Sequence, residues 1–459
     1  MKKSQKDKTK KTRIQDIPVI QPHAAGIDLG AAQHFVCAPD VDGQELEVRS
    51  FGTTTPELLK LAEWLRARKV VAVAMESTSV YWVPIFEILE AAEFNVVLVN
   101  ARQLHSVPGR KTDVLDCQWI QRLHSCGLLR GSFRPSDDSC RLRALVRQAA
   151  NYIELRTQAI QWMQKALDQM NVQVHRAVTD LTGVTGMKMI RAIVAGERDP
   201  NVLAQFRDRR CKKSIAEIAE HLTGNWREEH LFNLAEALEL YDFVDAQVIR
   251  YEAKLIDEMN RFAPEERQSA QGPTHPNPQK EKAINKNGDD LLRDALWRLS
   301  GIDLTRIDGI NIGVATTVLV EVGPDFSAFS TEHHFISWLR LCPLRPISGG
   351  KVLKKKPNGT GATRLGAAFR HAAISVRNSN SALGAEYRRI ARRKGAGVAV
   401  FAIARKIAKF VYRMLRYGQD YVDIGAAAYE NHFLEQRIRR LVAQADELGL
   451  EIICKTKTA

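Results

Sequence analysis

Four acidic residues stand at positions where a sheet-based metal site would need them. Asp28 lies in the motif GIDLG at the end of a predicted strand, and Glu76 directly follows a second apolar segment, VVAVAM. Asp113 and Asp116 lie three residues apart at the predicted start of a helix, which puts both carboxylates on one helical face. Four carboxylates at close range repel one another unless cations neutralise them, and Mg²⁺ prefers oxygen ligands. The set therefore predicts a site for two Mg²⁺ ions, with Mn²⁺ as an alternative, that could clamp the attacking and leaving oxygens of a phosphodiester.

Each acid by itself has an ordinary structural explanation. An Asp at a strand end is commonly a cap, and an acidic pair at a helix start complements the helix dipole. The motif GIDLG also opens the fold shared by sugar kinases, actin and chaperone ATPases. That fold needs an Asp-Gly-Gly phosphate loop and a later Gly-Gly adenosine motif, whereas the Gly-Gly of this chain, residues 349–350, lies in a lysine-rich segment. The four acids in this order therefore favour metal chemistry over nucleotide binding.

A serine in the C-terminal third is a candidate nucleophile. Ser348 precedes two glycines, in a predicted loop that could approach a phosphate closely. On spacing alone, Ser-Gly-Gly is typical of a turn, and no nearby His and Asp complete a catalytic triad. The positive charge around it would stabilise an ionised hydroxyl or a developing charge on phosphorus. Four lysines supply that charge and are candidate nucleic-acid contacts: Lys351, Lys354, Lys355 and Lys356.

The elements that carry the acids follow the order β-β-β-α-β-α-β-α between residues 24 and 128. Three strands meander and two more enter through helical crossovers, which favours a mixed sheet with helices on its faces. This is the ribonuclease-H-like order. It places the first strand beside the crossover strand, so we expect Asp28 and Glu76 to be neighbours. The helix that carries Asp113 and Asp116 is expected to pack over them.

The rest of the chain is predicted to be mainly helical. An unbroken apolar stripe over residues 140–178 predicts a coiled coil or helical hairpin. The segment 307–313 resembles a helix-hairpin-helix turn that would offer Gly309 and Gly313 to a DNA phosphate, with Asn311 replacing a glycine because it tolerates a left-handed backbone. The predicted divisions are a disordered basic tail (1–20), an α/β domain (21–135), a helical region with an insert (136–262), a linker (263–290), a C-terminal domain (291–420), and a final helix and tail (421–459).

Charge distribution predicts a nucleic-acid partner. The net charge is +14, yet residues 345–416 alone contain 18 Lys and Arg against one acid, and residues 1–13 contain seven against one. Such runs need a polyanion to offset their self-repulsion. No signal peptide, membrane-spanning segment, disulfide framework or zinc-finger spacing is present in the sequence. We therefore expect a reduced, cytoplasmic protein.

Taken together, these motifs resemble the DEDD transposases of the bacterial IS110 family, and most closely the IS1111 branch. The resemblance runs from about His23 to Tyr417. It rests on GIDLG, on ESTSVYW from Glu76, on KTDVLD around the aspartate pair, on the turn at 307–313, on PISG around Ser348, and on RLGAAFRHAA, which contains Arg364 and Arg370.

The resemblance implies a RuvC-like N-terminal domain, a coiled-coil middle and a C-terminal transposase domain. It implies that the tetrad binds metal, that Ser348 is the nucleophile, and that Arg364 and Arg370 contact nucleic acid. It also implies guidance by a structured RNA from the element's non-coding end, and a dimer or tetramer in which one protomer's acidic site meets another's serine.

The resulting hypothesis is a transposase that excises and inserts an insertion sequence by metal-assisted strand cleavage and rejoining. One alternative is a RuvC-like endonuclease that cuts Holliday junctions with metal-activated water, which would leave Ser348 a turn residue. Another is a non-catalytic nucleic-acid-binding protein, which the presence of all four acids disfavours.

Overall fold

The chain divides into two units, Met1–Arg134 and Pro135–Ala459. In the parts described here, no helix is both long and apolar enough to span a membrane. The computed structural model describes residues 17–77, 80–100, 104, 112–342, 347–348, 351–352 and 363–450.

The first unit is built on a five-stranded mixed sheet with the strand order β3-β2-β1-β4-β5. Strands β1, β2 and β3 are antiparallel neighbours, whereas β4 pairs parallel to both β1 and β5. This is the predicted ribonuclease-H-like arrangement, and it is confirmed. The elements are β1 (Ala24–Leu29), β2 (Gln33–Pro39), β3 (Leu46–Gly52), α1 (Thr55–Ala67), β4 (Ala72–Glu76), α2 (Trp82–Ala91), β5 (Asn95–Val99) and α3 (Asp113–Ser125).

Both faces of this sheet are covered by helices. Because successive side chains of a strand point to opposite faces, Ala25 and Ile27 of β1 belong to one core and Gly26 and Asp28 face the other way. The first core includes Leu61 of α1 and Ile85 of α2. On the opposite face α3 lies against β1, with its backbone in close approach to Gly26. The sheet thus holds α3 on the side toward which Asp28 points.

The second unit begins with two long helices, α4 (Asp137–Gln169) and α9 (Glu228–Phe262). They run antiparallel, because Tyr152 contacts Tyr251 and the later residue Arg156 pairs with the earlier Asp245. The ring centroids are 5.5 Å apart, and the ion pair is 2.6 Å long. The helical stripe over 140–178 therefore forms a helical hairpin, although α4 ends at Gln169 and a short separate helix follows.

Further helices and one small β-pair complete the described part of this unit. The helices are α5 (Val174–Ala177), α6 (Val184–Val194), α7 (Pro200–Ala204), α8 (Ile215–Leu222), α10 (Glu265–Gln268), α11 (Pro278–Asn287), α12 (Asp290–Ser300), α13 (Ile312–Glu321), α14 (Glu332–Trp338), α15 (Arg364–Ser375), α16 (Ala382–Lys394), α17 (Ala396–Tyr417) and α18 (Gly425–Glu447). Strands β6 (Ile347–Ser348) and β7 (Lys351–Val352) are antiparallel. Two 3₁₀ turns span Leu304–Arg306 and Val376–Asn378.

The segment 263–290, predicted as a linker, is instead folded. It contains α10 and α11, and His275 within it is buried with its ring 3.2 Å from the carbonyl of Thr305. The Pro and Asn content that suggested a linker starts a helix here, since Asn277 caps α11 and Pro278 is its first residue. Composition was misleading because the same residue types favour both loops and helix starts.

The predicted disordered tail, residues 1–20, lies mostly outside the described residues. Its last part does not behave as a tail, because the backbone N–H groups of Ile20 and Gln21 both donate to the carbonyl of Ser125, at 2.8 and 2.9 Å. Arg122 also donates to the carbonyl of Ile17 at 2.8 Å. Residues 17–21 are therefore bound to the end of α3.

Candidate functional site

Two acids of the predicted tetrad are placed side by side by the sheet. Strands β1 and β4 are parallel, and the last residues paired between them are Ile27 and Met75. Asp28 and Glu76 are the next residue on each strand, and both are half-buried. Parallel neighbouring strands therefore bring these two carboxylates to one end of the sheet, as the sequence predicts.

The other two acids sit in the first turn of α3. Thr112 caps this helix, since its Oγ1 accepts a hydrogen bond of 3.3 Å from the backbone N–H of Leu115. Asp113 is the first helical residue and Asp116 lies three residues further on, so both acids belong to the first turn of the helix. Asp113 is exposed and Asp116 is half-buried.

A glycine allows α3 to approach the strand that carries Asp28. A Cβ atom on Gly26 would lie 2.2 Å from the backbone nitrogen of Gln121 and 2.6 Å from the carbonyl oxygen of Cys117. The amide of Gln121 also donates to the carbonyl of Ala24, at 3.1 Å. This contact fixes the height of α3 on the sheet, and with it the position of the aspartate pair.

The buried thiol of Cys117 on α3 is affected by the charge of Asp28. Burial raises the pKa of this thiol to about 12, and the negative charge of Asp28 contributes to the increase. Cys117 directly follows Asp116 in α3, so the electrostatic effect of the β1 acid extends to the helix that carries the other pair.

The donor chemistry of these acids suits a hard divalent cation, because all four would offer carboxylate oxygens. Among the described residues, however, no three His, Cys, Asp or Glu side chains lie close enough together to hold one metal ion. The acids stand as a strand pair and a helix pair, and their joint binding of metal stays a prediction.

The candidate nucleophile lies on the small hairpin of the second unit. Ser348 ends β6 and pairs with Lys351, the first residue of β7. The sequence suggested a loop at Ser348. In the structure its backbone belongs to a short strand, and Lys351 is its partner on the other strand. The other three lysines of this motif, Lys354, Lys355 and Lys356, lie outside the described residues.

The helix-hairpin-helix resemblance is only partly reflected in the backbone. Gly309 has a φ of +89°, and a Cβ there would lie 2.5 Å from the carbonyl oxygen of Ala372 on α15. Asn311 has a φ of −97° and caps α13 by accepting from Val314 N–H at 2.9 Å, so its predicted left-handed conformation is wrong. Gly309 is therefore required for packing against α15, while Gly313 is exposed in the first turn of α13.

The two predicted arginine contacts lie on α15. Arg364 is its first residue, and half of its side-chain surface is exposed. The guanidinium of Arg370 lies over the ring of Phe401 on α17, 5.6 Å from the centroid. Phe401 is itself exposed, so an aromatic ring and a cation share this part of the surface.

Sequence reasoning missed the residues that position the acids. Gly26 was available as a signal, because a glycine inside a strand often marks a close backbone approach. No sequence signal pointed to Gln121, because its amide donates to the carbonyl of Ala24, which lies nearby only in the folded protein.

Two family models match the chain. One, a transposase model named for DEDD and IS110, covers residues 25–172, which include all four acids. The other, described as Transposase IS116/IS110/IS902 family, covers residues 301–388, which include Ser348, Arg364 and Arg370. Together they account for somewhat more than half of the chain. No curated protein sequence gives a significant match.

Proposed function

The chain belongs to the IS110 family of DNA transposases, and from that premise we propose that it cleaves and rejoins DNA strands with an acid tetrad and a serine nucleophile. Transposases of this family act on DNA by strand cleavage and transfer. The observation that supports the tetrad is the pairing of β1 with β4, which sets Asp28 beside Glu76 beneath α3.

In this proposal the acids form the metal site of the reaction. Divalent cations, Mg²⁺ or Mn²⁺, would polarise the scissile phosphate and stabilise the leaving oxygen. The strand ends supply Asp28 and Glu76 from a rigid sheet, and α3 supplies Asp113 and Asp116 from its first turn. Because three separate elements contribute, the docking of α3 on Gly26 decides whether all four carboxylates can face the same phosphate.

The proposed nucleophile is Ser348. Its Oγ would attack phosphorus as the hydroxyl proton leaves, and the P–O3′ bond would break to release a 3′-OH, which takes up a proton. The resulting phosphoserine retains the phosphodiester, so that attack by a second 3′-OH could rejoin strands without ATP. The strongly basic segment 345–416 supports this role, since positive charge favours the ionised hydroxyl.

We also propose guidance by an RNA from the element's non-coding end, acting in a dimer or tetramer. Family membership supports both, and the excess of basic residues supports contact with a polyanion such as RNA. The exposed first turn of α13 at Gly313 and the Arg370–Phe401 surface are proposed nucleic-acid contacts. The remaining proposed contacts are Lys351, Lys354, Lys355, Lys356 and Arg364.

A covalent-trap assay tests the serine. The full-length protein is incubated with Mg²⁺, RNA transcribed from the element's flanks and DNA carrying the joined element ends, and the products are separated on a denaturing gel. We expect a protein–DNA adduct that disappears with Ser348→Ala. Cleaved DNA without any adduct would instead identify a RuvC-like endonuclease that uses water.

Substitution of the helix acids tests the tetrad. Asp113→Ala should reduce recombination by at least about 100-fold and leave DNA binding largely intact, because a metal ligand is lost without loss of positive charge. Asp290→Ala is a matched control, since Asp290 is likewise an exposed acid at the first position of a helix. Recombination at the wild-type rate by Asp113→Ala would disprove the tetrad assignment.

A further inference from the structure

Three arginines converge on one buried carboxylate in the second unit. Glu321 ends α13, and its side chain is only 10% exposed. Arg143 and Arg147 approach it from α4, and Arg364 approaches it from the start of α15. The cluster therefore joins the long helical hairpin to the helix that follows the Ser348 segment in the chain.

Arg143 is the most buried of the three arginines. Its Nε lies 3.2 Å from Oε2 of Glu321, and its Nη2 donates a hydrogen bond to the main-chain carbonyl of Glu321. A buried carboxylate at a helix C-terminus is destabilised by the helix dipole unless a cation compensates it. Arg143 contributes to that compensation by charge, and Arg147 adds hydrogen bonds to both carboxylate oxygens.

The other two arginines bring more positive charge and more N–H donors than the single carboxylate of Glu321 can use. Nη2 of Arg147 lies 3.1 Å and 3.2 Å from the two oxygens of Glu321, and Nε of Arg364 lies 3.9 Å from Oε1. Half of each of these two side chains is exposed, at 51% and 50%. Arg364 thus pairs with Glu321 by charge at a distance beyond a hydrogen bond. Among the described residues, Glu321 uses only a minority of the N–H donors of the two guanidinium groups, which leaves the others for another acceptor.

Three other carboxylates in the described part of this unit, Glu258, Glu332 and Glu386, each pair with two cations. Arg191 and Asp242 pair one to one through two hydrogen bonds of 2.7 and 2.5 Å, and the side chain of Arg191 is exposed to the same extent as that of Arg147. The Glu321 cluster instead combines three positive charges with one negative charge. An uncompensated pair of fixed guanidinium groups favours an anion with two or more oxygens, and a phosphodiester is such an anion.

We infer that Arg147 and Arg364 form a phosphate clamp that binds the nucleic-acid backbone, and that Glu321 and Arg143 hold the clamp in position. The inference rests on the proposed function only for the class of ligand, a phosphodiester. Arg147 and Arg364 contact the ligand, while Glu321 is a positioning residue that acts through them. The clamp extends the nucleic-acid surface from the C-terminal region onto α4, which the charge distribution of the sequence did not indicate.

The test is the salt dependence of binding by the full-length protein in EDTA, which prevents metal-dependent cleavage. The probes are a fluorescein-labelled DNA duplex of mixed sequence and, separately, RNA transcribed from the element's flank. Loss of one phosphate contact lowers the slope of log Kobs against log salt by about 0.9 for duplex DNA and about 0.7 for a single strand, or roughly eightfold in duplex affinity at 0.1 M salt.

We expect this decrease for Arg147→Gln and again for Arg364→Gln, and about twice as much for the double variant. The Lys variants at both positions keep the charge and should retain the slope. Arg191→Gln is the matched control and should leave the slope unchanged.

The two probes distinguish the source of the phosphate. A smaller slope with DNA alone assigns the clamp to DNA, and a smaller slope with RNA alone assigns it to RNA. Either result supports the clamp. Unchanged slopes with both probes would overturn the clamp. This holds even if the variants have a lower thermal midpoint, because lower stability with unchanged slopes is expected of a purely structural ion cluster. Absence of a serine adduct would leave these slopes unaffected, so the two proposals fail separately.

Discussion

At the scale of single residues, Gly26 sets the geometry of the acid site. The atoms that would meet a side chain there belong to the backbone of α3, at Gln121 and Cys117. Backbone atoms inside a helix cannot rotate away as the end of a flexible side chain could. Any Cβ at this position must therefore lift the whole helix, and the aspartates in its first turn would move with it.

We predict that Gly26→Ala lowers the stability of the first unit by about 1–3 kcal/mol, the usual range for overpacking, and strongly reduces metal-dependent DNA cleavage. Gly397→Ala is the control: Gly397 lies in α17 with no atom near its missing Cβ, and alanine there should stabilise the helix by about 0.5–1 kcal/mol. Thermal unfolding and a cleavage assay check both. Wild-type cleavage and an unchanged midpoint for Gly26→Ala would show that α3 does not dock as described.

At the scale of elements, a buried ion cluster fixes the folded segment that follows the helical hairpin. Arg293 of α12 is 7% exposed and bonds to Asp303 at 2.6 Å, to Glu281 of α11 at 2.8 Å and to the carbonyl of Pro273 at 2.8 Å. Asp303 in turn accepts from the backbone N–H of Thr305. One guanidinium group thus joins α11, α12 and the 3₁₀ turn that precedes the glycine turn at residue 309.

Arg293→Leu should destabilise the second unit by about 3–5 kcal/mol, because it leaves the carboxylate of Asp303 buried without its cation. The comparison is Arg191→Leu, which breaks an exposed ion pair and should cost at most about 1 kcal/mol. Urea unfolding of both variants measures the difference. Equal losses of stability would mean that burial of the Arg293 cluster contributes nothing beyond an ordinary surface pair.

The elements also show which features the sequence could predict. The short apolar segments of β1 and β4 predicted the two central strands. The order of strands and helical crossovers then predicted that Asp28 and Glu76 are neighbours. The fold of 263–290 depends on Arg293 meeting Asp303 and Glu281, and no spacing in the sequence indicates that contact. Asn311 was misread because a glycine position in a motif suggested backbone freedom, whereas its side chain caps α13.

At the scale of the whole molecule, α18 is attached along only part of its length. The guanidinium of Arg389 lies 5.9 Å from the ring centroid of Tyr429 and 4.2 Å from that of Phe433. Residues 434–450 that follow are exposed, apart from partial cover at Ala445, and no residue of α18 is buried. The first half of the helix therefore packs against its neighbours, and the second half makes almost no contact with the described part of the chain.

Deletion of residues 434–459 should accordingly leave the thermal midpoint of the second unit unchanged at low protein concentration. Deletion from residue 425 also removes these two ring contacts and a third, between Lys406 and the ring of Tyr429, each worth about 0.5–1 kcal/mol. It should lower the midpoint by a few degrees. Calorimetry of the two truncated proteins beside the full chain makes the comparison. A large loss from the shorter deletion would show that the end of α18 stabilises the fold through contacts with another copy.

The order in which the first unit is synthesised determines when α3 can dock against Gly26. All five strands come from residues 24–99, whereas α3 is made afterwards and ends the regular structure of that unit. Because the ribosome releases the N-terminal part first, the sheet can pair before its last helix exists. Asp28 and Glu76 are then in place without Asp113 and Asp116. We expect a nascent chain to acquire the complete acid set only when α3 docks, so that incomplete products of translation are unable to cut the chromosome.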